Sequence, residues 1–310
     1  MAAPLARDAE EYLSWLAVEK GRSRNTLIAY RRDLAAWEHW AVDAGLDPLR
    51  TTPESLERYL AELRGSGRTA ASVARATSAL RGLFGFLTAE GLAEHDPATD
   101  LRAPRLPVRL PKALEERQVL ELLESVSGSD PLDRRDRALL EVLYGTGARI
   151  SEVVGLGLSD LHGDGDLVRV LGKGDKERLV PVGGPARAAL DRWLGPGGRP
   201  LVTRGRTARR HDSEAVFVNG RGSRLSRQGA WTIVRRHAER AGIGEVTSPH
   251  VLRHSCASHM LAHGADIRVV QELLGHVSIA TTQIYTKLSP EHLRASYERA
   301  HPRATSARRR

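Results

Sequence analysis

Cysteine is almost missing from this chain. Cys256 is the single one in 310 residues, which excludes an intrachain disulfide and any multi-cysteine metal site. Aromatic residues are scarce, at 5%. Apolar runs extend over a few residues at most, against the roughly 20 that a bilayer-spanning helix needs, so no membrane segment is expected. The opening MAAPLARDAEEYLSWL places acids ahead of its apolar positions and has no signal-peptide core, so a cytoplasmic protein is expected. Neither GxxxxGK[ST] nor GxGxxG occurs, so nothing points to a nucleotide. HExxH and zinc-type Cys/His spacings are also missing. No cofactor and no metal are expected, and there is no internal repeat.

Positive charge is abundant. Lys and Arg number 47 against 38 Asp and Glu, for a net charge of +9 and a pI near 10.2. That surplus suggests a polyanionic partner, although a coding bias toward Arg, Ala and Gly would also produce it. The hydrophobic share of 41% and charged share of 27% are those of a soluble globular protein. The length fits one large domain or two ordinary ones.

The first hundred residues read as helix. DAEEYLSWLAVE places Leu13, Leu16 and Ala17 on one stripe. SRNTLIAYRRDLAAWEHWAVDAG follows, with Ser23 as N-cap and Gly45 as stop. TPESLERYLAELRGSG has Thr52 as cap, Pro53 in the first turn and Gly65 at its end. In TAASVARATSALRGLFGFLTAEG, Val73, Leu80, Leu83, Phe84 and Leu87 recur at threes and fours. Four helices with short loops predict a small bundle over 1–100. Pro97, Pro104, Pro107 and Pro111, interleaved with Arg102, Arg105, Arg109 and Lys112, cannot continue a helix; they predict a basic extended linker at 101–112.

From 113 to 300 the pattern is mixed. EERQVLELLESV, DRRDRALLEVLYGTG and GPARAALDRWLG read as helices, and two strands, Leu167–Leu171 and Arg178–Val182, flank a Gly-Lys-Gly-Asp turn. A polar basic segment, LVTRGRTARRHDSEAVFVN, ends in a short apolar run. Further helices are expected near 226–241, 249–263, 266–275, 278–287 and 290–300. Residues 301–310, HPRATSARRR, read as a disordered basic tail. The fold class is mainly α with a small β-sheet: a helical bundle followed by a mixed α/β domain.

Three segments combine cations with hydrogen-bonding groups. In YGTGARISEVVGL, Arg149 opens a short helix after two glycines, and Glu152 lies one turn on, placed to fix the guanidinium or to cap the turn. No strand precedes it, which argues against a phosphate-cradling loop. In SPHVLRHSCASHML, Ser248 and Pro249 start a helix on which His250 and Arg253 share a face, and the helix N-terminus offers partial positive charge to an anion. In LLGHVSIATTQIYTKL, Gly275 ends a helix, His276 sits in the turn and Tyr285 falls on the next helix. Singly, each has an ordinary explanation: a surface ion pair, a chance His-x-x-Arg in an Arg-rich chain, a packing tyrosine. Together they describe chemistry at a phosphodiester. Arginine forks grip phosphate and stabilise charge on non-bridging oxygens without a metal. Histidines and a lysine of the GKGDKER turn donate protons or hydrogen bonds. A tyrosine nucleophile stores the bond energy as phosphotyrosine, so no ATP is needed. Nearby cations would favour its phenolate, whose ordinary pKa is about 10. Between Lys173 and Lys176 these residues alone do not choose.

The chain resembles the tyrosine recombinase (phage integrase) family, and within it the bacterial Xer recombinases. NTLIAYRRDL resembles the family's N-terminal signature. GTGARISEVVGL, VLGKGDKERLVPVG, SPHVLRHSCASHML, GADIRVVQELLGH and TTQIYT stand in the family's order and spacing, and AHPRA resembles the Xer C-terminus. SPHVLRH and HGADIRVVQ resemble the XerD branch more than the XerC branch.

The resemblance implies Arg149 and Arg253 as the phosphate-binding arginines and Lys173 as general acid to the leaving 5′ oxygen. His250 would be general base or phosphate orienter, His276 a ligand of a non-bridging oxygen, Tyr285 the nucleophile and Glu152 the supporting acid. It also implies a SAM-like, core-binding N-terminal bundle and a mixed α/β catalytic domain closing as a C-shaped clamp on double-stranded DNA. Arg31, Arg32, Arg102, Arg105, Arg204, Arg206, Arg209 and Arg210 are candidate phosphate contacts. The expected partners are a dif-like DNA site, a paralogous Xer recombinase in a cyclic heterotetramer, with the helix near 290–300 packed on a neighbouring subunit, and a septal DNA translocase; no membrane is involved. The implied function is resolution of chromosome dimers during segregation. A mobile-element integrase of the same chemistry is the alternative, although no arm-binding extension precedes residue 5; a non-catalytic DNA-binding architectural protein is the other. Cys256 stands where relatives often carry an aromatic residue and is expected to be a buried filler. The 195–214 segment is longer and more basic than in typical Xer proteins.

Overall fold

The computed structural model describes residues 5–104, 113–162, 166–172, 176–205, 210–275 and 290–304, without the side chains of 210, 211 and 290. The chain divides into two compact units, Met1–Arg109 and Leu110–Arg310.

The N-terminal unit holds four helices: α1 (Arg7–Val18), α2 (Arg24–Asp43), α3 (Pro53–Gly65) and α4 (Ala70–Ala89). Their starts are set by hydroxyl caps. Ser23, Thr52 and Thr69 each accept the backbone N–H three residues on, satisfying a donor that the first helical turn leaves unpaired. Positive-φ glycines follow α2 and α4, Gly45 (71°) and Gly91 (71°). After α3 that role passes from Gly65, still helical, to Gly67 (76°). The apolar stripes meet in one core. Val73, Leu80, Leu83, Phe84 and Leu87 are all buried, and Trp37 packs edge-on to Tyr59 at 5.2 Å. Leu101, which the sequence pattern assigns to the linker, is buried in this core as well.

The C-terminal unit centres on a helix that is buried on nearly every side. After α5 (Glu116–Glu124) comes α6 (Pro131–Thr146), packed between α8 (Gly184–Leu194) and α12 (Pro249–Ala262). Between α6 and α8 lie α7 (Ile150–Gly155) and an antiparallel sheet of order β1 (Leu161–His162), β2 (Leu167–Leu171), β3 (Glu177–Pro181). The register pairs Leu171 with Glu177 and Leu167 with Pro181. β3 begins one residue before the expected Arg178–Val182, and the short β1 was not anticipated. The basic segment after α8 contains two short helices, α9 (Arg199–Thr203) and α10 (Arg210–Ser213), before the fully buried run Ala215–Val218. Helices α11 (Arg227–Arg240), α12, α13 (Ile267–Leu274) and α14 (Pro290–Ala300) complete the unit. The expected helix at 278–287 lies outside the described residues.

The C-terminal segment departs from the expected disordered tail. In this single chain α14 packs on its own unit through Leu293, Tyr297 and Ala300. His301 is buried against Tyr297 and Tyr144. Arg303 forks onto the buried Glu141, and the Ala304 carbonyl accepts the Gly184 N–H. Net charge alone suggested solvation; a buried carboxylate waiting for one of those cations decides otherwise. Residues 305–310 lie outside the described residues. Among the described residues no helix is long and apolar enough to cross a membrane.

Candidate active site

The site is built where α6 ends. Gly147 adopts the left-handed conformation (φ 58°) that terminates the helix, and a Cβ there would lie 2.8 Å from Leu274 Cδ2 and 3.1 Å from Cys256 Sγ. Only glycine fits that approach. It turns the chain so that Arg149 becomes the N-cap of α7. The Arg149 backbone N–H donates to Glu152 Oε2 (2.8 Å) and its Nη1 to Glu152 Oε1 (2.8 Å). Glu152 therefore both caps the turn and holds the guanidinium. The Arg149 side chain stays 40% exposed, whereas that of Glu152 is 3% exposed.

Arg253 reaches the same place from α12. Ser248 caps that helix and Pro249 opens it. His250, in the first turn, is exposed; Arg253, one turn on, is buried. Its Nη1 donates to the Gly147 carbonyl (2.7 Å) and its Nη2 to the Leu274 carbonyl (2.6 Å). Among the described residues it has no carboxylate partner. Burial, reinforced by the adjacent Arg149, pushes its pKa down to about 10.

A third arginine completes the cluster and is not among those the motifs single out. Arg178, on β3, donates Nη2 to Glu152 Oε2 (2.8 Å), Nη1 to Glu152 Oε1 (3.1 Å) and Nε to the Leu273 carbonyl (3.0 Å). A signal was available. On a strand successive residues alternate faces, so Arg178 shares the inward parity of the buried Val180 while Leu179 points outward. A charge on the buried parity of a strand calls for a partner inside.

The three arginines converge on one structural feature. Arg178, Arg253 and Arg149 (Nη2, 3.4 Å) donate to the successive carbonyls of Leu273, Leu274 and Gly275 at the end of α13. Those carbonyls have no partner within the helix and carry its negative pole, so cations are stabilised there. Glu152 is the single carboxylate in the cluster among the described residues. Burial alone would raise its pKa; the Arg178 fork, the Arg149 N–H, the Arg178 charge and the Arg149 side-chain hydrogen bond outweigh that and hold it below the usual carboxylate range. The arrangement is a preorganised, partly open cationic site suited to an oxyanion.

The structure thus brings together Arg149, Glu152 and Arg253. His250 lies one turn from Arg253. Lys173, His276 and Tyr285 lie outside the described residues. Cys256 is fully buried, and burial pushes its thiol up to about 12, the state of an inert filler. Of the candidate DNA-contact arginines, Arg31 is exposed but ion-paired through two nitrogens with Glu10, and Arg32, Arg102 and Arg204 are exposed. Arg105, Arg206 and Arg209 lie outside the described residues, as does the side chain of Arg210.

Comparison with known proteins covers almost the whole chain. Residues 112–292 match the Phage integrase family, and residues 9–91 match the Phage integrase, N-terminal SAM-like domain. The chain is 48% identical over 312 residues to the tyrosine recombinase XerD of Mycobacterium tuberculosis, covering 97% of this chain and 99% of that one. It is 46% identical over 295 residues to XerD of Proteus mirabilis, covering 95% and 92%. In fold it is similar to XerH site-specific recombinase bound to a palindromic difH substrate in a post-cleavage complex (TM-score 0.66, 22% identity, 94% and 85% covered). It is likewise similar to a lambda integrase (75-356) dimer bound to a COC′ core site (TM-score 0.64, 21% identity, 90% and 98% covered). Near-half identity across two complete domains leaves one conclusion: the chain belongs to the phage integrase family and is a tyrosine-type site-specific recombinase.

Proposed function

We propose that this chain cuts and rejoins double-stranded DNA at a dif-like site through a 3′-phosphotyrosine, and so resolves chromosome dimers. The observation that carries the proposal is the surplus of positive charge around Glu152. Three guanidinium groups gather around one carboxylate among the described residues: Arg149 and Arg178 bind it, and Arg253, the most buried of the three, sits on neutral carbonyls. Burying like charges together is costly. An arriving phosphodiester supplies the missing negative charge, and more of it develops as the phosphorus becomes five-coordinate. Preorganised donors then favour the transition state over the ground state.

In this reading the Tyr285 oxygen attacks the scissile phosphorus and the bond to the 5′ oxygen breaks. Lys173 gives that oxygen a proton, leaving a free 5′ hydroxyl and a 3′-phosphotyrosine. Arg149 and Arg253 hold the non-bridging oxygens with His276, while His250 orients the phosphate or takes the tyrosine proton. A 5′ hydroxyl from a partner strand reverses the steps and restores the phosphodiester, so no bond energy is lost. Arg31, Arg32, Arg102, Arg105, Arg204, Arg206, Arg209 and Arg210 would contact backbone phosphates, and affinity would fall steeply with salt. The two units would clamp the duplex. A paralogous Xer recombinase would complete a cyclic heterotetramer, and a septal DNA translocase would activate it. Any exchange of α14 between neighbours requires release of the contacts that Leu293 and Tyr297 make within this chain.

The test is incubation with a dif-like duplex nicked so that the released fragment diffuses away. A protein–DNA adduct that survives denaturant is expected from the wild-type chain and not from Tyr285→Phe. No adduct, or an adduct that persists in the variant, overturns the proposal.

A further inference from the structure

The Arg178 guanidinium lies between two glycines that sit far apart in sequence. A Cβ built on Gly172 would be 3.5 Å from Arg178 Nη1 and 3.8 Å from Glu152 Oε1; one built on Gly275 would be 3.1 Å from Arg178 Nη1. The next residue after Gly172 is Lys173, and the next after Gly275 is His276. The same guanidinium forks onto Glu152, the acid that holds Arg149, and its Nε donates to the Leu273 carbonyl. One half-buried planar group therefore lies beside the backbone just ahead of two proposed catalytic residues and binds the partner of a third.

We propose that Arg178 is a positioning residue of the recombinase reaction, setting Gly172 after β2, the end of α13 and the Glu152–Arg149 pair relative to one another. The proposal rests on the reading of the preceding subsection. The chemistry needs an arginine. Three donors in one plane serve two oxygens of a carboxylate and a carbonyl on a different element, whereas an ammonium is a single point charge without that fork. The fork also settles how Glu152 is shared. Glu152 receives one guanidinium nitrogen from Arg149 and two from Arg178. With Arg178 offsetting the carboxylate, Arg149 keeps its outer edge free for phosphate. Without it, Glu152 would draw Arg149 into a fork of its own and the two backbones would lose their common support. At Gly275, whose φ is 64°, a side chain would also press on the guanidinium; at Gly172 a Cβ would meet the Lys176 carbonyl first, at 3.2 Å, with the guanidinium in ordinary contact behind it.

The experiment compares Arg178→Gln and Arg178→Lys with the wild type in single-turnover adduct formation on the nicked dif-like duplex, alongside DNA affinity and melting temperature. Misplacement of reacting groups by about an ångström lowers rates by on the order of 100-fold. Arg178→Gln should therefore form adduct about 100-fold more slowly with DNA affinity within about threefold, and Arg178→Lys, which keeps the charge beside Glu152, should recover about tenfold of that loss. A folded Gln variant with the wild-type rate overturns the proposal. So do equal losses in Gln and Lys, and a loss that appears in DNA affinity and not in rate. Should Arg178→Gln fail to fold, Arg178→Lys decides: a fall of about tenfold in rate at unchanged affinity supports the role, and an unchanged rate overturns it. A wild-type chain that makes no adduct overturns the preceding reading instead. The positioning role is then judged by the amide resonances of Gly172 and Gly275, which shift together in Arg178→Lys if it holds and stay in place if it does not.

Discussion

In the N-terminal unit Thr77 is the one buried side chain outside the apolar and aromatic classes among the described residues, and its hydroxyl donates to its own helix at Val73. The C-terminal unit buries Arg135, Asp136, Glu141, Glu152, His237, Arg253, His259 and His301. One unit is held by shape and area, the other also by charge. The difference has a physical meaning. Apolar packing tolerates substitution of similar volume, whereas a buried charge must keep its partner or it destabilises the fold. On the proposed function, a scaffold that grips DNA from its surface needs no buried ions. A site that must present several cations to one phosphate does, and it carries carboxylates inside to hold them in place.

The buried ions of the C-terminal unit are themselves of two kinds. Asp136 is saturated: Arg135 and Arg236 donate to it and His237 Nε2 lies 3.1 Å away. Around Glu152 the cations outnumber the acid and one side is left open. We read the first as structural and the second as functional.

The sharpest break of the comparison is Asp136→Ala. It strands Arg135 and His237 in the interior, with Arg236 left at the surface, and should cost about 3–5 kcal/mol, read as lost hydrogen-exchange protection in α6 and α11 with α1–α4 unaffected. Leu83→Ala tests the other unit. It leaves a cavity between helices and should cost about 2–5 kcal/mol, confined to α1–α4 and equal at pH 5 and pH 7.5. Acidification without mutation comes next. Burial pushes His301 down to about 3, below the roughly 6.5 of an unfolded histidine. The stability gained by keeping it neutral is intact above pH 6.5 and is lost steadily as pH falls toward 3. Protection of α14 should therefore weaken between pH 7.5 and 5 while that of α4 holds; equal behaviour in both helices contradicts the contrast. Thr77→Val is the smallest. The hydroxyl is satisfied within its own helix, so the isosteric swap should change stability by less than about 1 kcal/mol, measured in urea.

Legibility from sequence followed the same division. The N-terminal helices were readable to within a residue or two because caps and apolar stripes are local signals, as Ser23, Thr52 and Thr69 illustrate. In the C-terminal unit, Arg149, Glu152 and Arg253 were legible as spacings within single segments. Arg178 was not, since its partners Glu152 and Leu273 lie 26 and 95 residues away and only the fold brings them together. The same holds for Arg303, whose partner Glu141 is 162 residues distant and made an apparent basic tail into packed structure. Charges look alike in sequence; what separates a solvated one from a buried one is a partner that local pattern does not name.

The central claim is that the cationic cluster serves a tyrosine attacking a phosphodiester. The most direct measurement digests the denaturant-resistant adduct with trypsin and locates the nucleotide by mass. The account predicts the nucleotide on Tyr285, in the peptide that begins at Val269. A nucleotide found on any other residue, Cys256 included, would contradict it.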